Sequence, residues 1–111
     1  MAWLVRDGEV LASVESADTR RERRRGLRGR DGVDGVLLLR ARSVHTFGMR
    51  FAIDIAFCAP VGGDGLRVVR VVTVPCRRVT RPCVRGKVAL EAEGGSFRRW
   101  GVRPGDRLEV R

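Results

Sequence analysis

The sequence predicts a mainly β, α+β fold: a small antiparallel barrel of partly open type, or a sandwich, with one short N-terminal helix. Three observations carry this. Short apolar runs are separated by turn residues at spacings of about 8–12 positions, which favours a barrel or sandwich over a βαβ sheet. Several of the runs are rich in β-branched residues and alternate with period two, as half-buried strands do. A helix-start pattern with a defined stop comes once, near the N-terminus.

The elements follow in order. WLVR and EVLASVES flank Asp7-Gly8, a strong short-range hairpin signal. Thr19 followed by Glu22 is a capping-box pattern, and Gly26 supplies a stop, so residues 19–25 form a helix of about two turns. Val36–Leu39 reads as a short buried strand. Residues 53–57 form another, with Ile53, Ile55 and Phe57 on one face and Asp54 and Ala56 on the other. Gly62-Gly63-Asp64-Gly65 is a hairpin loop, because a phosphate-cradling loop would open a helix and a β-branched run over 66–74 follows instead. Val88–Glu93 alternates, with Val88, Leu90 and Ala92 opposite Ala89, Glu91 and Glu93. After Gly94-Gly95 a helical turn carries Phe97 and Trp100, Pro104-Gly105 is a turn, and residues 108–111 close the chain.

At 111 residues the chain fits one domain, 1–111, with a thin core. Its hydrophobic fraction of 43% excludes global disorder. No run approaches the roughly 18 apolar residues that cross a bilayer, so no membrane insertion is expected. Arg6, Asp7 and Glu9 interrupt the apolar core an export signal needs, so a cytoplasmic location is expected. The net charge of +10 invites a nucleic-acid reading. Yet only Lys87 among the 23 basic residues is a lysine, a skew that fits a GC-rich coding sequence. Two tryptophans, four phenylalanines and no tyrosine leave few rings on which bases could stack.

Cys58, Cys76 and Cys83 are odd in number and lack CxxC spacing, so reduced thiols are expected, with Cys58 a small buried hydrophobe. Arginines beside Cys76 and Cys83 could lower a thiol pKa there. The three cysteines with His45 do not make a zinc-finger pattern, and no metal or cofactor is expected.

The polar focus is the run SVHTFGMRFAIDIAF, residues 43–57, which holds the only histidine and one acid. Asp54, set between Ile53 and Ile55, must be hydrogen-bonded, paired or neutral, since desolvating a lone carboxylate costs several kcal/mol. The structural expectation is that it accepts backbone N–H groups across a bend at Gly48 and pairs with an arginine. The catalytic alternative is a hydrolase-like site in which His45 exchanges protons, Asp54 orients it or acts as base, and Ser43 or Thr46 supplies a hydroxyl.

The helix poses a charge problem. Arg20 with Arg24, Arg21 with Arg25 and Arg24 with Arg28 are like-charge i,i+4 pairs, together costing about 1 kcal/mol. An acid elsewhere should meet this face. Glu91 and Glu93 are internal candidates, and Arg23 is the residue expected to anchor the helix to the barrel. Glu22, Arg23, Asp54, Glu91 and Asp106 are therefore read as structural polar residues. Arg21, Arg24 and Arg25, with Arg77 and Arg78 of the 77–85 loop, are read as the ligand- or partner-binding set.

Four segments in order resemble the domain-of-unknown-function 192 family of bacteria and archaea. They are Ala17-Asp18-Thr19 through Glu22-Arg23 to Gly26-Leu27; HTFGMRFAIDIAF (45–57) followed by Pro75; Leu90-Glu91 with Gly94-Gly95; and the run 101–106, GVRPGD. The resemblance spans about residues 17–110 and implies a compact antiparallel β-domain with a small helical element and no established activity. Where the commoner family form reads Trp-Met-Lys-Asn-Thr, this chain has HTFGM, and Gly-Leu-Met has become Gly26-Leu27-Arg28. The lysine and asparagine one might nominate as catalytic are missing.

The function expected from these observations is a non-enzymatic binding or accessory module for an anionic small molecule or an acidic partner surface. The hydrolase with His45 and Asp54 is the alternative, and weak non-specific nucleic-acid binding through the arginine helix is the third reading.

Overall fold

A computed structural model of the chain describes residues 2–27, 32 and 34–111. Its elements, in chain order, are β1 (Ala2–Arg6), β2 (Glu9–Ser16), α1 (Arg20–Arg25), β3 (Val36–Leu39), β4 (Ile53–Pro60), β5 (Gly65–Val74), β6 (Val88–Glu93), α2 (Ser96–Arg99) and β7 (Arg107–Val110). The strands pair in the order β1-β2-β3-β6-β4-β5-β7, and β7 returns to β1. The barrel is therefore closed, not partly open, and among the described residues it carries two short helices, the second being the helical turn expected after Gly94-Gly95 beside the one N-terminal helix. Closure rests on the short pairings Leu4–Val110 and Val5–Glu109, contacts between chain ends that no local pattern encodes.

Local chemistry explains the element boundaries. Asp7 and Gly8 both take positive φ (51° and 81°), as the tightest hairpin turns require, and β1 folds back on β2. The capping box forms as read: the Thr19 hydroxyl accepts from Glu22 N at 3.0 Å, and Glu22 Oε1 accepts from Thr19 N at 3.1 Å. The Arg24–Arg28 pair lies outside the described residues. The connection through α1 is long enough to act as a crossover, so β2 and β3 run parallel, an exception to the antiparallel expectation.

Two apolar layers share one wall. Inside the barrel lie Leu4, Val14, Ala56, Val68, Leu90 and Leu108, with Phe97 of α2 fully buried as a plug at one end. Outside the wall made by β3, β6 and β4, Ile53, Ile55 and Phe57 pack with Leu27, Leu37 and Val44. β4 is thus buried on both faces from Ile53 to Cys58, and the alternation read from sequence divides it between the two layers.

The outer layer is roofed by an antiparallel ribbon. Residues 42–46 run against 78–83, joined by Thr46 N to Arg78 O (2.8 Å), Thr80 N to Val44 O (2.9 Å) and Cys83 N to Arg42 O (2.7 Å). Val44, Thr46, Thr80 and Cys83 point inward and are buried, whereas His45 and Val79, which pair across the ribbon, are exposed. Arg70 pins this roof. Its guanidinium lies 4.7 Å from the centre of the Phe57 ring and donates to the Arg81 carbonyl.

Emptying the plug position should be severe. We expect Phe97→Ala to lower unfolding free energy by about 3–5 kcal/mol in urea titrations, the usual cost of a large cavity in a closed core.

Candidate functional site

Asp54 is 2% exposed and lies on the interior face of β4 at the plugged end. Its Oδ2 accepts from the backbone N–H of Phe97 at 3.0 Å, and its Oδ1 accepts from the hydroxyl of Thr73, its cross-strand partner on β5, at 2.6 Å. The N-cap of α2 is Gly95, which has no side chain to satisfy the helix N–H groups, so the strand supplies the cap. The expected burial and hydrogen bonding hold, but the partners differ from those expected. Neither lies at Gly48, and among the described residues no arginine ion-pairs with Asp54.

His45 stands on the other side of the wall. It is exposed on the ribbon, stacks obliquely against Phe47 (centroids 5.9 Å apart) and borders a cleft that Ile53 and Met49 also line. Asp54 instead borders a cleft with Thr73, Val71 and Arg98. Opposite faces of β4 separate the two side chains, so the histidine–aspartate site does not assemble. The Thr46 hydroxyl is committed as well, donating to Pro75 O (2.6 Å) and accepting from Arg78 N (2.8 Å) in a fully buried position.

What does assemble is a cleft of about 200 Å³ between α1 and residues 39–49. Arg23, Arg24, Arg25 and Arg40 form its cationic rim with His45, over an apolar floor that includes Leu39, Met49 and Ile53. Glu91 lies at its base, 2% exposed, on the outer face of β6 between Leu37 and Ile55. Gly26 makes this closeness feasible. It takes a positive φ of 51°, and a β-carbon there would sit 3.3 Å from Glu91 Oε2. Of the two internal acids expected near the arginine helix, Glu91 borders the same cleft as Arg23, Arg24 and Arg25. Arg23 itself donates to the Asp18 carbonyl at 3.0 Å, tying α1 to its own lead-in.

The remaining candidates scatter. Arg21 is exposed outside the cleft, and Arg77 and Arg78 stand on the ribbon. Asp106 accepts from Arg103 N (2.9 Å) and receives Arg6 at 3.5 Å, joining β1 to the turn before β7. Arg40 borders the cleft and was missed, its only signal being a basic residue directly after a buried strand; Ser43, read as a candidate hydroxyl of the hydrolase-like site, borders it too. Among the described residues no three His, Cys, Asp or Glu side chains cluster as metal ligands. Burial, aided by nearby Cys83, pushes the Cys58 thiol up to about 12, so it is an inert hydrophobe.

A closed seven-stranded β-barrel with an arginine-rimmed cleft on its wall defines the class. The chain belongs to the DUF192 family, described as "Uncharacterized ACR", whose model matches residues 2–110. It is similar over 98% of its length to 91% of a Sinorhizobium meliloti protein described as a "putative transcription regulator", with 25% identity and a TM-score of 0.77. A Novosphingobium aromaticivorans protein of unknown function shares the fold, with a TM-score of 0.76 at 17% identity over 97% of this chain and 82% of that one. A comparison with curated proteins found no match.

Removing the trans cap should show in chemical denaturation: Asp54→Ala is expected to cost more than about 2 kcal/mol by stranding the buried Phe97 N–H and emptying space in the core. His45→Ala should stay within about 0.5 kcal/mol of the parent in the same assay, as exposed substitutions do. The Glu22 carboxyl is held below its ordinary value of 4.5, first by its side-chain bond with Thr19 and then by the Thr19 backbone. A lowered pKa stabilises the folded form above the ordinary value, and this is lost as pH falls through the lowered one. Acid titration followed by NMR should therefore loosen the Thr19 and Glu22 amides below about pH 4.5 in the parent, but not in Glu22→Gln.

Proposed function

We propose that the cleft between α1 and residues 39–49 binds a small anion carrying an apolar group, and that the protein works as a non-enzymatic binding module. The observation that carries this is the convergence of Arg23, Arg24, Arg25 and Arg40 over an apolar floor in one cavity of about 200 Å³. Guanidinium groups offer forked donors to phosphate or carboxylate oxygens, and Leu39, Met49 and Ile53 give the rest of the ligand an apolar surface beside Glu91. A concave site of this size favours a small molecule over the acidic face of a protein. The catalytic alternative lacks support because His45 and Asp54 face opposite sides of the wall.

Duplex DNA is the second reading. It is favoured by the +10 net charge and by the description of the Sinorhizobium meliloti protein. Phosphate-backbone binding of that kind would weaken steeply between about 50 and 200 mM salt.

Calorimetry with hexyl phosphate and inorganic phosphate tests the cleft. Hexyl phosphate is expected to bind more tightly than inorganic phosphate, and Arg24→Glu/Arg25→Glu should weaken it at least about tenfold, a loss of about 1.4 kcal/mol. Arg21→Glu, outside the cleft, should leave binding unchanged. Equal weakening by Arg21→Glu would reduce the effect to net charge and overturn the assignment.

A further inference from the structure

The roofing ribbon has an outer face that borders the cleft only through Ser43 and His45. Among the described residues five large hydrophobic side chains are exposed, and three lie on the ribbon and its immediate continuations: Phe47 (51%), Val79 (62%) and Val84 (80%). The Phe47 ring lies against His45, which pairs with Val79 across the ribbon. Val84 directly follows Cys83, whose N–H bonds to Arg42 O at the far end of the ribbon.

The charge around these three residues is of one sign. Arg42, Arg77, Arg78, Arg81, Arg85 and Lys87 are all exposed. No acidic residue occurs between Asp34 and Asp54, nor between Asp64 and Glu91, so both ribbon segments and their approaches carry only positive charge. The inward residues Val44, Thr46, Thr80 and Cys83 hold this face rigidly against the barrel wall.

We propose that this face docks on an anionic phospholipid surface, with Phe47, Val79 and Val84 entering the headgroup layer and the surrounding arginines on lipid phosphates. Charge complementarity selects the occupant. Each basic residue near an anionic leaflet adds attraction, and a few apolar side chains convert that attraction into partial insertion. Protein interfaces deplete charge around their apolar centre, whereas here arginines separate the apolar residues from one another. Nucleic acid would use the arginines but leave two exposed valines without a role, since stacking needs rings. Surface docking involves no spanning segment, in keeping with the absence of any helix long and apolar enough to cross a membrane among the described residues. The inference is independent of the cleft: the barrel would dock through one face of the ribbon and hold its ligand beside α1.

Vesicle co-sedimentation of the full chain tests it, using phosphatidylcholine alone and a 3:1 mixture with phosphatidylglycerol at 0.1 M salt. Binding is expected to the mixed vesicles only. Val79→Ser/Val84→Ser should weaken it at least about fivefold, and Arg78→Glu/Arg85→Glu at least about tenfold. All four positions are exposed, and unchanged melting temperatures would show that the variants fold. In Phe47→Trp, emission should shift to the blue on mixed vesicles. No sedimentation with mixed vesicles overturns the proposal. Undiminished binding by the double serine variant, or duplex DNA bound at the salt where mixed vesicles are not, overturns it as well.

Discussion

The hydrogen bond from the Phe97 amide to the Asp54 carboxylate is the constraint on which the barrel's interior depends. α2 has only four residues, too few to persist by its own propensity, and it begins at a glycine without a capping side chain. Asp54 reaches it from β4, and the Thr73 hydroxyl holds the other carboxylate oxygen. A buried polar group that would be costly without partners becomes the fixture that seats Phe97 in the barrel mouth. Phe97 in turn meets the Trp100 ring edge-on at 5.6 Å, so the plug extends to the rim. Register follows from the same bond, because a one-residue slip of β4 would send Asp54 into the outer apolar layer.

A wall buried on both faces needs a cover, and that cover generates both proposed surfaces. The outer residues of β3, β4 and β6 cannot face water, so residues 42–46 and 78–83 close over them as a hydrogen-bonded ribbon. α1 reaches the same layer through Leu27, after a turn at Gly26 that permits close approach to Glu91. Ribbon and helix leave a gap between them, and the arginines of α1 border it. Of the like-charged residues that weaken α1 as an isolated helix, Arg24 and Arg25 are thereby set beside a concavity with Glu91 at its base. Part of their repulsion is offset by the capping box and by Arg23 holding the Asp18 carbonyl.

What was legible in the sequence was local. Asp7-Gly8, the Thr19–Glu22 box and the two-sided alternation of residues 53–57 each depend on neighbours within a few positions, and each took the form read for it. The burial of Asp54 was legible because an acid inside an apolar run has few physical options. Its partners were not, since Phe97 lies 43 positions away and Thr73 lies 19 away. Closure through β1 and β7 and the parallel β2–β3 pair were hidden for the same reason. The arginine cluster was visible as charge, but only the fold separates Arg24 and Arg25, which border the cleft, from Arg21, Arg77 and Arg78, which do not.

The run HTFGM looked like one motif and is in fact two surfaces. Thr46 is fully buried, knitting together Pro75 and Arg78, and Met49 is buried against the wall. His45 and Phe47 face solvent with their rings in contact. Inward positions answer to packing and to the satisfaction of buried polar groups, so a change there is paid in stability. Outward positions answer only to what approaches from outside. The barrel can therefore exchange the chemistry at 45 and 47 without disturbing the layer beneath. A rigid ribbon with a changeable outer face separates the demands of folding from those of recognition.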